Sequence, residues 1–158
     1  MNYDVQLYKL MNKFYEAYPQ ENYPELLMKP NRVYNCILFE FNEYFVCVPY
    51  RTEINHKYAY KFKRTERSKV HKSGLDFTKI VIVLNLDYID SISAAIVDAD
   101  EFKETREHIG VIQSRVCAYI SDYIDYLNGY PNISKEEFNR RYKYSTLKYF
   151  HGEMGLST

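Results

Sequence analysis

The chain has 158 residues, of which 46% are hydrophobic and 27% are charged. This length predicts a single domain over residues 1–158, with a core large enough to fold without disulfides or metals. The composition excludes a disordered, collagen-like or coiled-coil chain. No apolar run approaches the roughly 18 residues that a membrane-spanning helix needs, and the first ten residues, which include Asp4, lack the apolar stretch of a signal peptide. We therefore expect no membrane partner.

Cysteine usage bears on the cellular compartment. The chain has three cysteines, Cys36, Cys47 and Cys117, which lie far apart and lack the spacing of a metal site. An odd number of cysteines without such spacing favours free thiols in a reducing cytosol, so we expect a cytoplasmic protein.

The net charge is zero, but the charges are distributed unevenly along the chain. Residues 51–79 carry nine Lys or Arg against three acids, whereas residues 80–101 carry five acids and no Lys or Arg. Two interpretations stay open at this point. The basic segment is either a solvated loop that faces an acidic edge of the same protein, or a surface that binds a polyanion.

The first predicted elements are a helix and a hairpin. Residues 7–18 place apolar side chains at helical spacing, which predicts a helix, and residues 20–32 predict a polar connection. Residues 33–48 form two β-rich runs around Asn42-Glu43, which predicts a hairpin. Its register follows from pairing the residues that flank the turn, Phe41 and Tyr44. Pro49, which has no amide donor, is expected to end the ladder.

Further strands and loops are predicted in the middle of the chain. Residues 58–62 alternate polar and aromatic side chains and predict a short strand. Residues 63–74 are basic and polar and predict a loop. Residues 77–86 are rich in β-branched side chains and predict a buried strand, and residues 89–97 predict another short strand.

The second half is predicted to be helical, with helices over residues 98–129, 134–142 and 145–152. The first two begin at capping boxes, formed by Asp98 with Glu101 and by Ser134 with Glu137, and Ser145 is expected to cap the third. Strands cluster first and helices last, which is typical of an α+β fold. We expect an antiparallel, partly closed sheet with helices packed against it.

The residues after the hairpin carry the candidate chemistry. Loops held on a rigid sheet often form functional sites. Arg51 can clamp a phosphate, and Thr52 and Asn55 can hydrogen-bond its oxygens. His56 can exchange protons near neutral pH. Three tyrosines can stack on bases, namely Tyr50, Tyr58 and Tyr60. The alternative interpretation is a solvent-facing turn without a function.

This segment also resembles a known family. The stretch P-Y-R-T-E-I-N-H-K-Y-A-Y-K-F at residues 49–62 follows a hairpin that begins P-N-R-V-Y at residues 30–34. Together they are similar to the toxins of type III toxin–antitoxin systems, the ToxN, AbiQ, TenpN and CptN group. The ending S-K-E-E-F-N-R-R-Y-K-Y-S-T-L-K-Y-F-H at residues 134–151 is similar to the TenpN and CptN branch. The resemblance covers most of the chain in order.

The resemblance implies both an activity and a fold. These toxins are metal-independent endoribonucleases without a cofactor, which cleave mRNA and their own antitoxin transcript and leave 2′,3′-cyclic phosphate and 5′-hydroxyl ends. Their fold is a compact, highly twisted antiparallel sheet with surrounding helices, similar to the MazF and Kid toxins. They are inhibited by a repeated RNA pseudoknot, with which they alternate in closed rings, and some members abort phage infection.

The resemblance assigns catalytic candidates residue by residue. The family's hydroxyl-bearing pair falls on Arg51 and Thr52, so Arg51 stands where the ToxN branch has threonine. The lysine after the proline that precedes the hairpin falls on Arg32. The lysine beyond the hydroxyl pair has no single match, and either His56 or Lys57 takes its place.

From this resemblance we therefore expect a toxin whose basic stretch, residues 61–72, binds the RNA backbone. Its cations are Lys61, Lys63, Arg64, Arg67, Lys69 and Lys72. His71 in the same stretch is expected to be an exposed loop residue. Two alternatives remain, a non-catalytic RNA-binding module and a protein–protein adaptor; no DNA partner is expected.

Overall fold

The computed structural model describes residues 7–27, 34–90 and 97–156. This part has an α+β fold, as predicted, with an antiparallel sheet of seven strands. The strands are β1 (Leu7–Leu10), β2 (Asn35–Phe41), β3 (Tyr44–Arg51), β4 (Ala59–Lys61), β5 (Gly74–Asp76), β6 (Val81–Val83) and β7 (Ile89–Asp90). Their order is β4-β5-β3-β2-β1-β7, with β6 also paired to β3. The described strands do not close into a barrel.

The predicted hairpin of β2 and β3 is confirmed. Phe41 pairs with Tyr44, and the rest of the ladder follows in the expected register. Asn42 and Glu43 form the turn with φ values of 50° and 70°. A two-residue hairpin turn of the type that matches the twist of the strands requires a positive φ at both central residues.

Pro49 ends the ladder of the hairpin, as expected, but it does not end the strand β3. Pro49 lies opposite Cys36 and forms the last pair between β3 and β2. Beyond it, β3 continues with a different neighbour, since Tyr50 and Arg51 pair with β5. The missing amide therefore falls where β3 changes partner, a position at which a proline costs little.

The helix predicted for residues 7–18 is wrong in its first half. Leu7–Leu10 is β1, which pairs with β2 and β7, and only Asn12–Ala17 is helical, as α1. Leu7, Leu10 and Phe14 satisfy a helical spacing, but Leu10 also pairs with Ile89 across the sheet. Hydrogen bonds to two strands thus override the local pattern.

The buried strand predicted for residues 77–86 is present only as the short strand β6 (Val81–Val83). A 3-10 turn at Phe77–Lys79 separates β5 from β6, and a second one at Leu86–Tyr88 precedes β7. The Asp76 side chain accepts a hydrogen bond from the Thr78 amide and begins the first turn. The short strand expected at residues 58–62 is present as β4. Residues 91–96, in the strand expected at 89–97, lie outside the described residues.

The helix predicted for residues 98–129 is divided into α2 (Ala99–Glu107) and α3 (Ile109–Leu127). His108 separates them with φ −118° and ψ 20°. The Asp98 side chain makes no capping hydrogen bond and instead lies 3.1 Å from Arg67, so the capping box expected there is wrong. Gly129 follows α3 with φ 88°, as a helix C-cap favours.

The last two elements begin where the sequence predicts. Ser134 Oγ accepts from the Glu137 amide at 3.1 Å and caps α4 (Lys135–Tyr142). Ser145 Oγ accepts from the Leu147 amide at 3.3 Å and caps a 3-10 helix at Thr146–Tyr149. Among the helices described, none combines the length and the apolar character needed to cross a membrane.

Candidate functional site

Side-chain alternation along β3, β5 and β4 separates two faces of the sheet. One row across these strands packs against α2 and consists of Tyr50, Leu75 and Tyr60. The next row consists of Arg51, Gly74 and Lys61 and lies on the other face, because successive strand residues alternate. Asp76 follows Gly74 by two residues and therefore shares the face of Arg51. This alternation brings residues 51 and 76 together.

Asp76 is the centre of the cluster. Its carboxylate is fully buried, and Arg51 Nη1 donates to Oδ2 at 2.6 Å. The Thr78 amide and hydroxyl donate to Oδ1 at 2.9 Å and 2.7 Å, and His56 Nε2 lies 3.2 Å from the same oxygen. Arg51 and His56 each keep 31% of their side chains exposed. The cluster thus joins a buried anion to two groups that reach solvent.

The hydrogen bonds hold Asp76 in its charged form. Burial by itself would raise the pKa of Asp76, but the hydrogen bonds from His56, Thr78 and Arg51 outweigh it and lower the pKa from 3.8 to about 2. A carboxylate with this pKa is ionised at neutral pH. It can therefore fix the orientation of a guanidinium and an imidazole.

The contacts of His56 define its tautomer. The Tyr58 amide donates to Nδ1 at 3.1 Å, so Nδ1 carries the lone pair and the neutral ring carries its proton on Nε2. The Nε2 proton then points to Asp76. Both ring nitrogens are occupied in this arrangement, and Nδ1 is the basic one.

The other catalytic candidates surround the cluster with fewer contacts. Thr52 is partly exposed and Asn55 is exposed, and neither makes a side-chain hydrogen bond to a described residue. Lys57 is exposed, with Nζ 5.8 Å from the centre of the Tyr58 ring. Arg32 lies outside the described residues.

The three tyrosines predicted to stack on bases differ in accessibility. Tyr60 is buried and donates to Glu104; burial and this carboxylate raise its pKa to about 12. Tyr50 is partly buried, and its hydroxyl lies 2.8 Å from Thr105 Oγ1 of α2. The Tyr60 ring is therefore not open to a base in this arrangement. Tyr58 is half-buried, with its ring stacked 6.0 Å from that of His56.

The basic stretch, residues 61–72, partly faces acids of the same chain. Arg67 pairs with Asp98 at 3.1 Å and Lys69 with Glu66 at 2.8 Å. His71 is exposed and pairs with Glu53. The remaining cations make no ion pair with a described residue, namely Lys61, Lys63, Arg64 and Lys72. The interpretation of a loop that faces acids of the same chain thus holds in part, because Arg67 pairs with Asp98. Binding of a polyanion by the remaining cations stays a prediction.

A buried carboxylate of α2 holds the start of this stretch. The amides of Lys63 and Arg64 donate to Glu104 at 3.1 Å and 3.0 Å, beside the hydroxyl of Tyr60. These bonds fix the backbone while the two cationic side chains remain exposed.

Sequence reasoning missed Asp76, Thr78 and Lys79. Asp76 counted only as one acid within a basic segment, and residues 77–79 were expected in a strand. Lys79 Nζ donates to the Tyr144 carbonyl at 3.1 Å, and burial lowers the pKa of Lys79. The sequence Asp-Phe-Thr, in which an acid can cap the amide two residues on, is a signal that indicates such a turn.

Within the three described ranges, no group of three or more His, Cys, Asp or Glu residues is arranged to hold a metal ion. No protein-family model, curated protein or solved structure matches the chain.

Proposed function

We propose that this chain is the endoribonuclease toxin of a type III toxin–antitoxin system, from the ToxN and AbiQ family and nearest to its CptN and TenpN branch. The resemblance of residues 49–62 and 134–151 to that family supports the proposal. One structural observation carries it further: Arg51 and His56 meet at the two oxygens of buried Asp76, yet both reach solvent. An antiparallel sheet with helices is also compatible with the fold of MazF and Kid, which we propose as its fold type.

Arg51 binds the scissile phosphate in this proposal. Nη1 is engaged by Asp76, whereas Nε and Nη2 make no hydrogen bond to a described residue. A guanidinium can donate to two oxygens at once, so these nitrogens neutralise the two non-bridging oxygens. Thr52 and Asn55 position the phosphate, and Arg32 supplies a second cation.

His56 acts as the general base. Asp76 holds the proton of its ring on Nε2, so Nδ1 accepts the proton of the ribose 2′-hydroxyl, which takes the place of the Tyr58 amide. The 2′-oxygen attacks phosphorus, and the bond to the 5′-oxygen breaks. Lys57 donates a proton to that oxygen. The products are a 2′,3′-cyclic phosphate and a 5′-hydroxyl, and the step needs no metal.

The four cations of the basic stretch without an ion pair bind the RNA backbone on either side of the scissile phosphate. The inhibitor is an RNA pseudoknot, cut by the toxin from a repeat transcript and retained in the site as a product, with toxin and RNA alternating in a closed ring. The substrates in a cytoplasmic setting are mRNA and the antitoxin precursor.

A non-catalytic RNA-binding module is the second candidate. The observation that favours it is that both ring nitrogens of His56 are already occupied, so proton transfer requires the Tyr58 amide to leave. Such a module would use the same cations but would release RNA intact.

Cleavage in chelator separates the two candidates. The purified chain is incubated with an end-labelled single-stranded RNA in excess EDTA. We expect products with cyclic phosphate and 5′-hydroxyl ends, and a loss of roughly 10²–10⁴-fold in rate for His56→Ala, typical of a lost general base, with RNA binding retained. Binding without cleavage would favour the module. Cleavage that requires a divalent ion would contradict the proposed mechanism.

A further inference from the structure

An RNA site needs an aromatic surface as well as cations. Single-stranded RNA is commonly bound with its phosphates against cations and its bases stacked on aromatic rings. The three tyrosines near Arg51 meet this need poorly, because Tyr60 is buried, Tyr50 is partly buried with its hydroxyl on Thr105, and Tyr58 is partly buried with its ring stacked on His56. Tyr144, in contrast, is 62% exposed.

Tyr144 is held beside the turn at Phe77–Lys79 by its neighbours. Its carbonyl accepts from Lys79 Nζ at 3.1 Å. Two residues on, the buried Thr146 hydroxyl contacts the carbonyl of Thr78 at 3.4 Å and that of Ile80. These contacts fasten the segment that carries Tyr144 to the turn that follows Asp76.

The turn connects Tyr144 to the candidate catalytic groups. Its Thr78 donates twice to Asp76, and Asp76 in turn holds Arg51 and His56. The exposed ring and the guanidinium of Arg51 are therefore attached to the same turn, through Lys79 and Asp76. The surroundings of the ring are also cationic, since Lys143 Nζ lies 5.3 Å from its centre.

We propose that Tyr144 is a stacking platform for a nucleobase of the RNA whose phosphate lies against Arg51. This inference rests on the proposed function, because it assumes RNA as the ligand. Tyr144 would then recognise a base, while Arg51 at the end of β3 binds the RNA backbone. Tyr130 offers a matched control, since it is 77% exposed and follows α3, whereas Tyr144 lies two residues before Thr146, which contacts the turn at Phe77–Lys79.

The test measures binding of an RNA analogue that cannot be cleaved. Fluorescence anisotropy of the full chain is recorded with a mixed-sequence 2′-O-methyl oligonucleotide, and with a matched abasic oligomer of the same length and charge. We expect Tyr144→Ala to weaken binding of the base-bearing oligonucleotide by about 5- to 150-fold, the range for one lost stacking contact. Tyr144→Phe should restore most of that loss, and Tyr130→Ala should bind like the wild type.

The outcomes distinguish this inference from the proposed function. The abasic oligomer should bind wild type and Tyr144→Ala alike, because it has no base to stack. If Tyr144→Ala binds the base-bearing oligonucleotide as well as Tyr130→Ala does, or loses both oligomers equally, the stacking platform is wrong while RNA binding stands. If the wild type binds neither oligomer, the proposed function fails and the platform fails with it. Because Tyr144 is exposed, each variant should melt at the wild-type temperature, which serves as the folding control.

Discussion

Arg51 Nη1 and Asp76 Oδ2 lie 2.6 Å apart across two antiparallel strands, although 25 positions separate the residues in sequence. The carboxylate is fully buried, and the guanidinium reaches solvent. The pair therefore anchors a cation by one nitrogen and leaves its remaining donors available. A lysine could not do both, because its ammonium is a compact point charge.

We expect Arg51→Lys to lose RNA cleavage although it keeps the charge. The ammonium can meet Asp76 or the phosphate but not both, and the loss of one oriented donor typically costs on the order of 10²–10³-fold in kcat. Single-turnover cleavage of a short RNA measures it. Arg106→Lys, on the exposed side of α2, is the matched control and should cleave normally. A rate for Arg51→Lys within a few-fold of wild type would mean that Arg51 contributes only a general contact to the RNA backbone.

The low pKa of Asp76 predicts a pH-dependent contribution to stability. Because the folded-state pKa of about 2 lies below the ordinary 3.8, the contribution is fully present above pH 3.8 and is lost as the pH falls through about 2. It amounts to about 2 kcal/mol. Urea unfolding of wild type and Asp76→Asn should show a difference at pH 7 that shrinks below pH 4. The exposed control Asp87→Asn should show none; a difference for Asp76→Asn that stays constant with pH would contradict the assignment.

The salt dependence of RNA binding should distinguish the cations without an ion pair from those that have one. Each phosphate contact to single-stranded RNA contributes about 0.7 to the slope of log K against log salt. Replacing Lys63, Arg64 and Lys72 by Gln should therefore flatten the slope by about two units. Replacing Arg67 and Lys69, which already pair with Asp98 and Glu66, should change the slope less per residue. If both sets of replacements change the slope equally per residue, the ion pairs with Asp98 and Glu66 must open when RNA binds.

Gly74 is required by a close approach of two backbones. A Cβ added at Gly74 would lie 2.1 Å from the Tyr60 carbonyl oxygen, so β4 and β5 would have to separate. We expect Gly74→Ala to lower the free energy of unfolding by roughly 1–3 kcal/mol, as overpacking does, and to impair RNA cleavage because β5 carries Asp76. The control is Gly152→Ala, since a Cβ there meets nothing within 4 Å. Equal urea midpoints for the two variants would contradict this account.

The elements that could be predicted from the sequence are those with local signals. The β2–β3 hairpin depends on residues that flank its own turn, and Ser134 and Ser145 cap the helices that they precede. β1 could not be predicted in this way, because Leu10 finds its partner at Ile89, and no local pattern reports such a distant pairing.

The candidate site was predictable only in part, for the same reason. Arg51 and His56 stand together in one motif, whereas Asp76 joins them only through the register of β3 with β5. That register also determines the position of Tyr50 and Tyr60, since strand alternation turns their row toward α2. Residue type alone favoured these rings as base platforms, but burial depends on which helix covers the face.

The attachment of Thr146 to the turn after Asp76 has a consequence during synthesis. A ribosome completes Arg51, His56 and Asp76 about seventy residues before it adds Thr146, and until then the carbonyls of Thr78 and Ile80 lack that partner. A nascent chain therefore carries Arg51, His56 and Asp76 before the contacts of Thr146 with the turn can form. The contacts that fasten the turn after Asp76 are thus complete only in the nearly finished polypeptide.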